Sequence, residues 1–461
     1  MNTLNIIDIL ERTQTGEYCT VKEWDTKRVP RTIREKLKKY SLEKSFDLEN
    51  PVNTDFELAD EFFKAGYEVA LELGMLYETG DRIVKVSEEE LAAALKYAPS
   101  EVIVGVGKDA TVIRSRTPSD SYPMKFGAPL GITMSEDIFL RLNEAMARER
   151  EVDILTGGSL ITIFGRTLLA GSPFETLAGY EQARLHLEAR RLAGRPGMGG
   201  VGCVSSVTEY GQLGSCGLPG GFPPTDLLLA LFPSELKIND QTLHKVVQTI
   251  NTGGMVFAGS PAMIGGMPGP PEGATLSSIA AALLQYPILQ STVGGGEIYD
   301  LRSLSSVNRA SLKALSVTHQ ALSRNTHLIT QGIANQVSGP GTENLLLESL
   351  VGMATLACSG SAFSQGPRSA GGKLTDHITP LETRFCGEIA HAASSLSPEK
   401  VNEIAKEILP RYEEKIKEPD LGRPVQEVYD LKTLRPTKEW EDIYLKVRQE
   451  AIQLGIPLDA Y

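Results

Sequence analysis

Ala193-Gly194-Arg195-Pro196-Gly197-Met198-Gly199-Gly200-Val201-Gly202-Cys203 is the stretch whose reading decides the fold. Five of its eleven residues are glycine, which lets the backbone take a positive φ or lets another group come close. Gly197, Gly199 and Gly202 also spell G-x-G-x-x-G, a dinucleotide-binding pattern that needs an apolar strand in front of it. Here Ala193-Gly194-Arg195-Pro196 precedes it, and a long helical pattern feeds in from Ser172-Pro173-Phe174-Glu175, with its N-cap serine, proline and glutamate. The residues therefore favour a helix that ends at Gly194, followed by a short strand that opens into a glycine-lined mouth.

The same rhythm extends in both directions. Short apolar runs, most of them containing a glycine or followed directly by one, fall at 124–128, 153–157, 197–201, 235–238, 255–260, 291–294, 327–331 and 362–365, and each is followed by a helix-length segment. Eight such units are the count of a (β/α)8 barrel, whose sites lie at the C-terminal ends of its strands. A doubly wound α/β sheet is the alternative. The expected architecture is an α/β TIM barrel over 121–396, preceded by an N-terminal helical and β extension over 1–120. Charged C-terminal helices over 397–461 are expected to pack on the barrel.

Composition limits the function. The 461 residues are 41% hydrophobic and 23% charged, with a net charge of −12 and no long basic run. Electrostatic capture of nucleic acid or an anionic membrane is therefore not expected. The N-terminus has no signal-peptide pattern and no apolar run approaches membrane-span length, so the cytoplasm is the expected compartment. Five scattered cysteines and six isolated histidines form no disulfide framework and no metal-ligand set, so no metal is expected.

Polar residues near the strand ends are the candidates for chemistry. They are Glu235 and Lys237 on the fourth run, Glu297 and Tyr299 after the sixth, Gln331 and Asn335 after the seventh, and Gln365 and Arg368 after the eighth. A carboxylate at a barrel mouth can act as a base or anchor a cation, or it can simply pair with a neighbouring base. His186 reads as a surface residue of a charged helix. Cys203 reads as a nucleophile or as a small buried thiol. The 6% aromatic content suggests no cation–π cage.

Many short motifs in one order add a resemblance that runs almost the full length. They include Gly16-Glu17-Tyr18-Cys19-Thr20, Arg82-Ile83-Val84-Lys85, Ala193-Gly194-Arg195-Pro196-Gly197-Met198-Gly199, Glu235-Leu236-Lys237-Ile238, Gly339-Pro340-Gly341-Thr342-Glu343 and Thr375-Asp376. On these motifs the chain resembles the monomethylamine:corrinoid methyltransferase family. The resemblance implies a homo-oligomeric barrel that moves a methyl group from a methylated amine to the cobalt(I) of a separate corrinoid protein. The corrinoid then belongs to the partner, and no tightly bound cofactor is expected here.

The resemblance also exposes a departure. The family carries pyrrolysine, an electrophilic imine, just after Arg-Pro-Gly-Met-Gly, and that position falls on Val201. Of the family's two glutamates and one glutamine around the pyrrolysine, Glu235 matches the first and Gln331 the glutamine. The second glutamate falls in Phe257-Ala258-Gly259-Ser260, where no acid stands. The expectation is therefore a methyltransferase without pyrrolysine, with Glu235 and Gln331 catalytic and with Val201, Gly202, Cys203 and Ser260 contacting a small methylated amine other than monomethylamine. A non-catalytic paralogue that binds a methylated amine or a corrinoid protein is one rival, and a nucleotide-dependent oxidoreductase is the other.

Overall fold

The computed structural model describes residues 5–202, 205 and 208–460. Eight parallel strands close into a barrel: β1 (Lys125–Ala128), β2 (Ile154–Leu155), β3 (Gly199–Gly202), β4 (Leu227–Leu231), β5 (Met255–Ile264), β6 (Gly294–Asp300), β7 (Thr330–Ile333) and β8 (Phe363–Gln365). A helix follows each strand: α1 (Glu136–Arg148), α2 (Pro173–Leu192), α3 (Tyr210–Ser215), α4 (Asp240–Asn251), α5 (Pro271–Leu289), α6 (Arg309–Asn325), α7 (Glu343–Cys358) and α8 (Pro380–Ala392). The fold is a TIM barrel, with α/β structure added before it and helices after it.

The fourth strand corrects the sequence reading. Leu227-Leu228-Leu229-Ala230-Leu231 forms it, in register with Val201 and Gly202 on one side and Met255 to Gly259 on the other. This run is apolar on both faces, as a buried parallel strand must be, and it ends in Phe232-Pro233 instead of glycine. The 235–238 run pairs elsewhere. Lys237 and Ile238 add a parallel edge to Leu76 and Tyr77, in a four-stranded sheet otherwise built from the N-terminal segment.

The N-terminal segment forms a second layer around one side of the barrel. Its helix Phe56–Leu73 buries Phe62, Ala65, Gly66, Val69, Ala70 and Leu73 and packs against α5 and α6. Gly66 permits the approach, because a Cβ there would sit 2.5 Å from Cγ2 of Ile279. Covered by this layer on one side and by β5 and β6 on the other, α5 is buried along nearly its whole length. At the other end of the chain, Pro398–Tyr412 and Lys438–Gln453 pack on α7, and the latter also on α8.

A hairpin closes the barrel from below. Glu101–Val104 and Thr111–Arg114 pair antiparallel, and Val104 and Ile113 enter the interior cluster with Ile154, Val201, Leu227, Phe257 and Phe363. The hairpin is fastened to the N-terminal ends of the strands: Gly105 N–H donates to the Thr225 carbonyl (2.9 Å) and Val106 N–H to that of Gly197 (2.8 Å). Among the described residues, no helix is long and apolar enough to cross a membrane.

Candidate active site

Strand alternation decides what faces the interior. Inward residues of the lower layer make the apolar floor. Above it, at the C-terminal ends, a cavity of about 370 Å³ opens. Leu229, Leu231, Phe232, Phe257 and Ile333 supply its apolar wall, and Thr156, Ser260, Glu297, Gln331, Gln365 and Arg368 its polar groups. Phe257 belongs to both layers and divides floor from cavity.

Among the described residues, Glu297 and Arg368 are the only charged ones lining the cavity. Glu297 lies on β6, between Pro261 and Ile333 in register. Its carboxylate accepts an N–H from the Asn335 side chain. Burial pushes its pKa up, while Arg368 and Asn335 pull it back. Arg368 follows β8, with its backbone N–H donating to Gln336 Oε1 (2.9 Å). Its guanidinium stem crosses two glycines: a Cβ on Gly372 would fall 2.7 Å from Nε, and one on Gly131 3.5 Å from it. Nε is buried without a hydrogen-bond partner.

Other polar atoms here also lack partners. Gln331 is 2% exposed and Gln365 3%, yet the Gln331 amide oxygen and the Gln365 amide nitrogen bond to nothing among the described residues, nor does Thr156 Oγ1. Buried polar groups are normally satisfied. Several unsatisfied ones around a single cavity mark a place built for a polar ligand.

The expected site residues separate. Gln331 and Ser260 line the cavity, with Ser260 Oγ donating to the Pro233 carbonyl (3.3 Å). Val201 lies in the floor, packed with Ile154, Leu227 and Phe257 and fully buried. Gly202 faces outward toward the helices, where a Cβ would meet the Phe222 ring at 2.6 Å, so it does not contact the cavity. Cys203 lies outside the described residues.

Glu235 stands behind the wall and is not among the lining residues. The chain leaves β4 at Leu231 and folds back over β5 and α5, which buries the Glu235 carboxyl to 1% exposure. Its Oε1 accepts Met263 N–H (2.7 Å), its Oε2 accepts the Ser277 hydroxyl, and its carbonyl accepts Trp24 Nε1 (3.0 Å). Burial lifts its pKa to about 7, against these hydrogen bonds. The hydrogen bonds tie the N-terminal segment to the barrel. Lys237 pairs instead with Asp25 (3.1 Å).

The glycines of the opening stretch serve packing. A Cβ on Gly197 would fall 2.1 Å from the Val106 carbonyl oxygen, and one on Gly199 2.6 Å from Val104 Cγ1. The hairpin thus occupies the place where a pyrophosphate would have to approach, and the dinucleotide reading loses its site. His186 is likewise corrected: it is fully buried between Phe139 and Phe222, and burial drives its pKa well down. Its helix is exposed on one face only, and His186 lies on the buried face with Glu175 and Arg190.

Comparisons with known proteins agree with this geometry. The family model for "Monomethylamine methyltransferase MtmB" matches residues 4–456. This chain belongs to that family. It is a methyltransferase by that membership. It is 31% identical to monomethylamine methyltransferase MtmB3 of Methanosarcina barkeri (strain Fusaro) over 450 residues, 97% of each chain. It is 30% identical to MtmB of Methanosarcina mazei over the same share. The crystal structure of the Methanosarcina barkeri monomethylamine methyltransferase superposes with a TM-score of 0.94 at 29% identity, covering 99% of both chains. A hydroxylamine complex of MtmB superposes equally well.

Two cavity features escaped the sequence reading. Phe232 and Phe257 form part of the wall although aromatic residues are scarce overall, because two suffice when both face one cavity. Thr156 follows the shortest strand, and only the barrel register shows that it faces inward.

Proposed function

We propose that this methyltransferase moves a methyl group from a small methylated amine, held in the barrel-mouth cavity, to the cobalt(I) of a corrinoid carried by a separate protein. It does so without capturing the amine covalently. The observation that carries this reading is Val201. The position that the resemblance gives to pyrrolysine holds an aliphatic side chain, packed into the floor beneath the cavity. The position expected for the second acid is empty of one as well: Gly259 lines the cavity, and a Cβ on it would lie 2.9 Å from Gln331 Nε2.

The corrinoid supplies the nucleophile. The cobalt(I) electron pair forms the cobalt–carbon bond as the carbon–nitrogen bond breaks, and the bonding pair of that bond stays on nitrogen. The cobalt ends as methyl-cobalt(III). Nitrogen departs as a neutral amine only if it begins as a cation, either protonated or quaternary. Glu297 favours that cation in the bound state, and its grip relaxes as the charge disappears, so its part is binding and orientation. Gln331 and Gln365 offer hydrogen bonds that fix the donor, and the apolar wall seats the methyl groups and limits water. The rate advantage expected from such an arrangement is that of positioning two reactants in line.

The test is a panel of methylated amines incubated with purified protein and cob(I)alamin, read as methylcobalamin formation. At least one tertiary or quaternary donor should react while monomethylamine stays inert. Binding without transfer by every donor would favour the non-catalytic paralogue. Robust monomethylamine turnover would overturn the pyrrolysine-free assignment.

A further inference from the structure

Glu297 and Arg368 face one small cavity, and no ion pair joins them. Arg368 still lowers the pKa of Glu297 by its charge, so the two lie within electrostatic reach with room between them. Among the described residues the Arg368 guanidinium makes neither an ion pair nor a hydrogen bond, and its Nε is shut away from solvent. The guanidinium is partly buried, feels Glu297 only at a distance, and keeps a buried Nε with no hydrogen-bond acceptor, so an anionic group reaching it would supply what it lacks.

A simple methylammonium does not supply that acceptor. It would gain from Glu297 and be repelled by Arg368, leaving the guanidinium unpaired. A ligand with one positive and one negative end gains at both. The cavity carries one charge of each sign, so a net-neutral dipolar ligand is the one its field selects.

We infer that the methyl donor is a zwitterion, an N-methylated amino acid or betaine, with its methylated nitrogen beside Glu297 and its carboxylate on Arg368. The inference rests on the cavity being the methyl-donor site.

Geometry sets the size. Glu297, Ile333 and Gln365 stand in one register row across β6, β7 and β8. Neighbouring strands lie about 4.8 Å apart, so Glu297 and Gln365 are about 10 Å apart at the backbone. Arg368 follows Gln365 by three residues, and both charged side chains reach inward from that separation. The span left suits one to three carbons between nitrogen and carboxylate. Arginine is well matched to the second end, because its fork binds carboxylate through two parallel N–H donors. Phe232, Phe257 and Leu229 stand on the same wall to receive the methyl groups, and an aromatic face also attracts a methylated cation.

The experiment is calorimetric binding without any corrinoid, so that its result is independent of methyl transfer. Trimethylglycine, dimethylglycine and 3-(trimethylammonio)propionate are compared with tetramethylammonium, trimethylamine and monomethylamine. At least one zwitterion should bind ten-fold or more tighter than tetramethylammonium. Arg368→Gln should abolish that preference and strengthen tetramethylammonium binding, since the repelling charge is gone, while Arg368→Lys should keep part of the preference. Glu297→Gln should weaken both classes. Thermal melts of each variant establish that it is folded. Equal or tighter binding of the simple amines, no binding by any zwitterion, or an unchanged preference in folded Arg368→Gln would overturn the inference. Zwitterion binding with no methylcobalamin formed would instead count against the methyl-transfer reading alone.

Discussion

Arg190 and Asp226 form a buried, two-pronged ion pair directly against the backbone of Gly200. Arg190 Nη2 lies 2.7 Å from Asp226 Oδ2 and Nη1 3.1 Å from Oδ1, while Gly200 N–H donates to the same carboxylate at 2.9 Å. Nη1 also donates to the Met198 carbonyl (2.9 Å). The pair thus locks α2, β3 and the start of β4 together. A Cβ on Gly200 would fall 1.8 Å from Nη2, so Gly200→Ala must break either the strand or the pair. Breaking a buried pair costs about 3–5 kcal/mol, and a loss of that order in urea melts is the expected result. A variant as stable as the parent would mean that the pair can move aside.

Glu235 should make the protein less stable as pH rises. Its folded pKa of about 7 lies above the ordinary value near 4.5, so the folded chain holds a proton that the unfolded chain has released. Its stabilising contribution is full below about pH 4.5 and disappears as pH climbs through 7. Glu348 and Glu382, also buried and also lifted to about 7, act in the same direction. Glu235→Gln keeps the acceptor for Met263 N–H and removes the ionisation. Relative to the parent, it should gain about 2–3 kcal/mol between pH 5 and pH 8. Parallel pH–stability curves would show that the carboxyl is ionised throughout.

Gln331 illustrates function working against stability. Its amide oxygen is buried without a partner, and such a group costs about 1–3 kcal/mol. Gln331→Leu should therefore raise Tm by a few degrees and lower kcat/KM for the true donor about ten-fold or more. A variant that is stabilised yet fully active would remove Gln331 from the site.

The connection from β2 to α2 has to pass over the barrel mouth. It carries a small hairpin, Thr162–Ile163 with Arg166–Thr167, whose turn is held by Glu136 accepting Phe164 N–H (2.6 Å) and Gly165 N–H (3.0 Å). Phe164 at this turn is 63% exposed, and Ile161 and Leu169 nearby are exposed as well. An apolar tip at the mouth suits a partner protein. Phe164→Ser should leave transfer to free cob(I)alamin unchanged and slow transfer to the carrier protein several-fold. Equal slowing with both acceptors would place the effect inside the cavity.

Much of this architecture is legible in the chain because parallel strands and their helices leave separate periodic marks. Seven of the eight runs meet barrel strands for that reason. The fourth hid because Leu227 to Leu231 lacks a terminal glycine, while Lys237 and Ile238 look like a strand and are one, in another sheet. The polar candidates near the strand ends fared by register. Glu297, Gln331 and Gln365 reach the cavity because their positions along β6 to β8 face inward, and Arg368 reaches it from the loop just after β8. Glu235 does not, since it follows a turn whose course no local pattern reveals. Val201 and Gly202 are neighbours in sequence, and the two-residue alternation of a strand sends them to opposite sides.

The hairpin that seals the barrel floor gives the cavity one door. On the proposed function, donor, acceptor and demethylated product would all use the rim around Leu231 and Phe232, and a carrier docked at the mouth would cover it. Order of addition is thereby imposed by shape. On that function the amine would enter first and the carrier second, and the spent amine would leave only after the carrier had gone. Steady-state kinetics should therefore show excess unmethylated carrier inhibiting competitively against the amine, a signature that a barrel open at both ends would not produce.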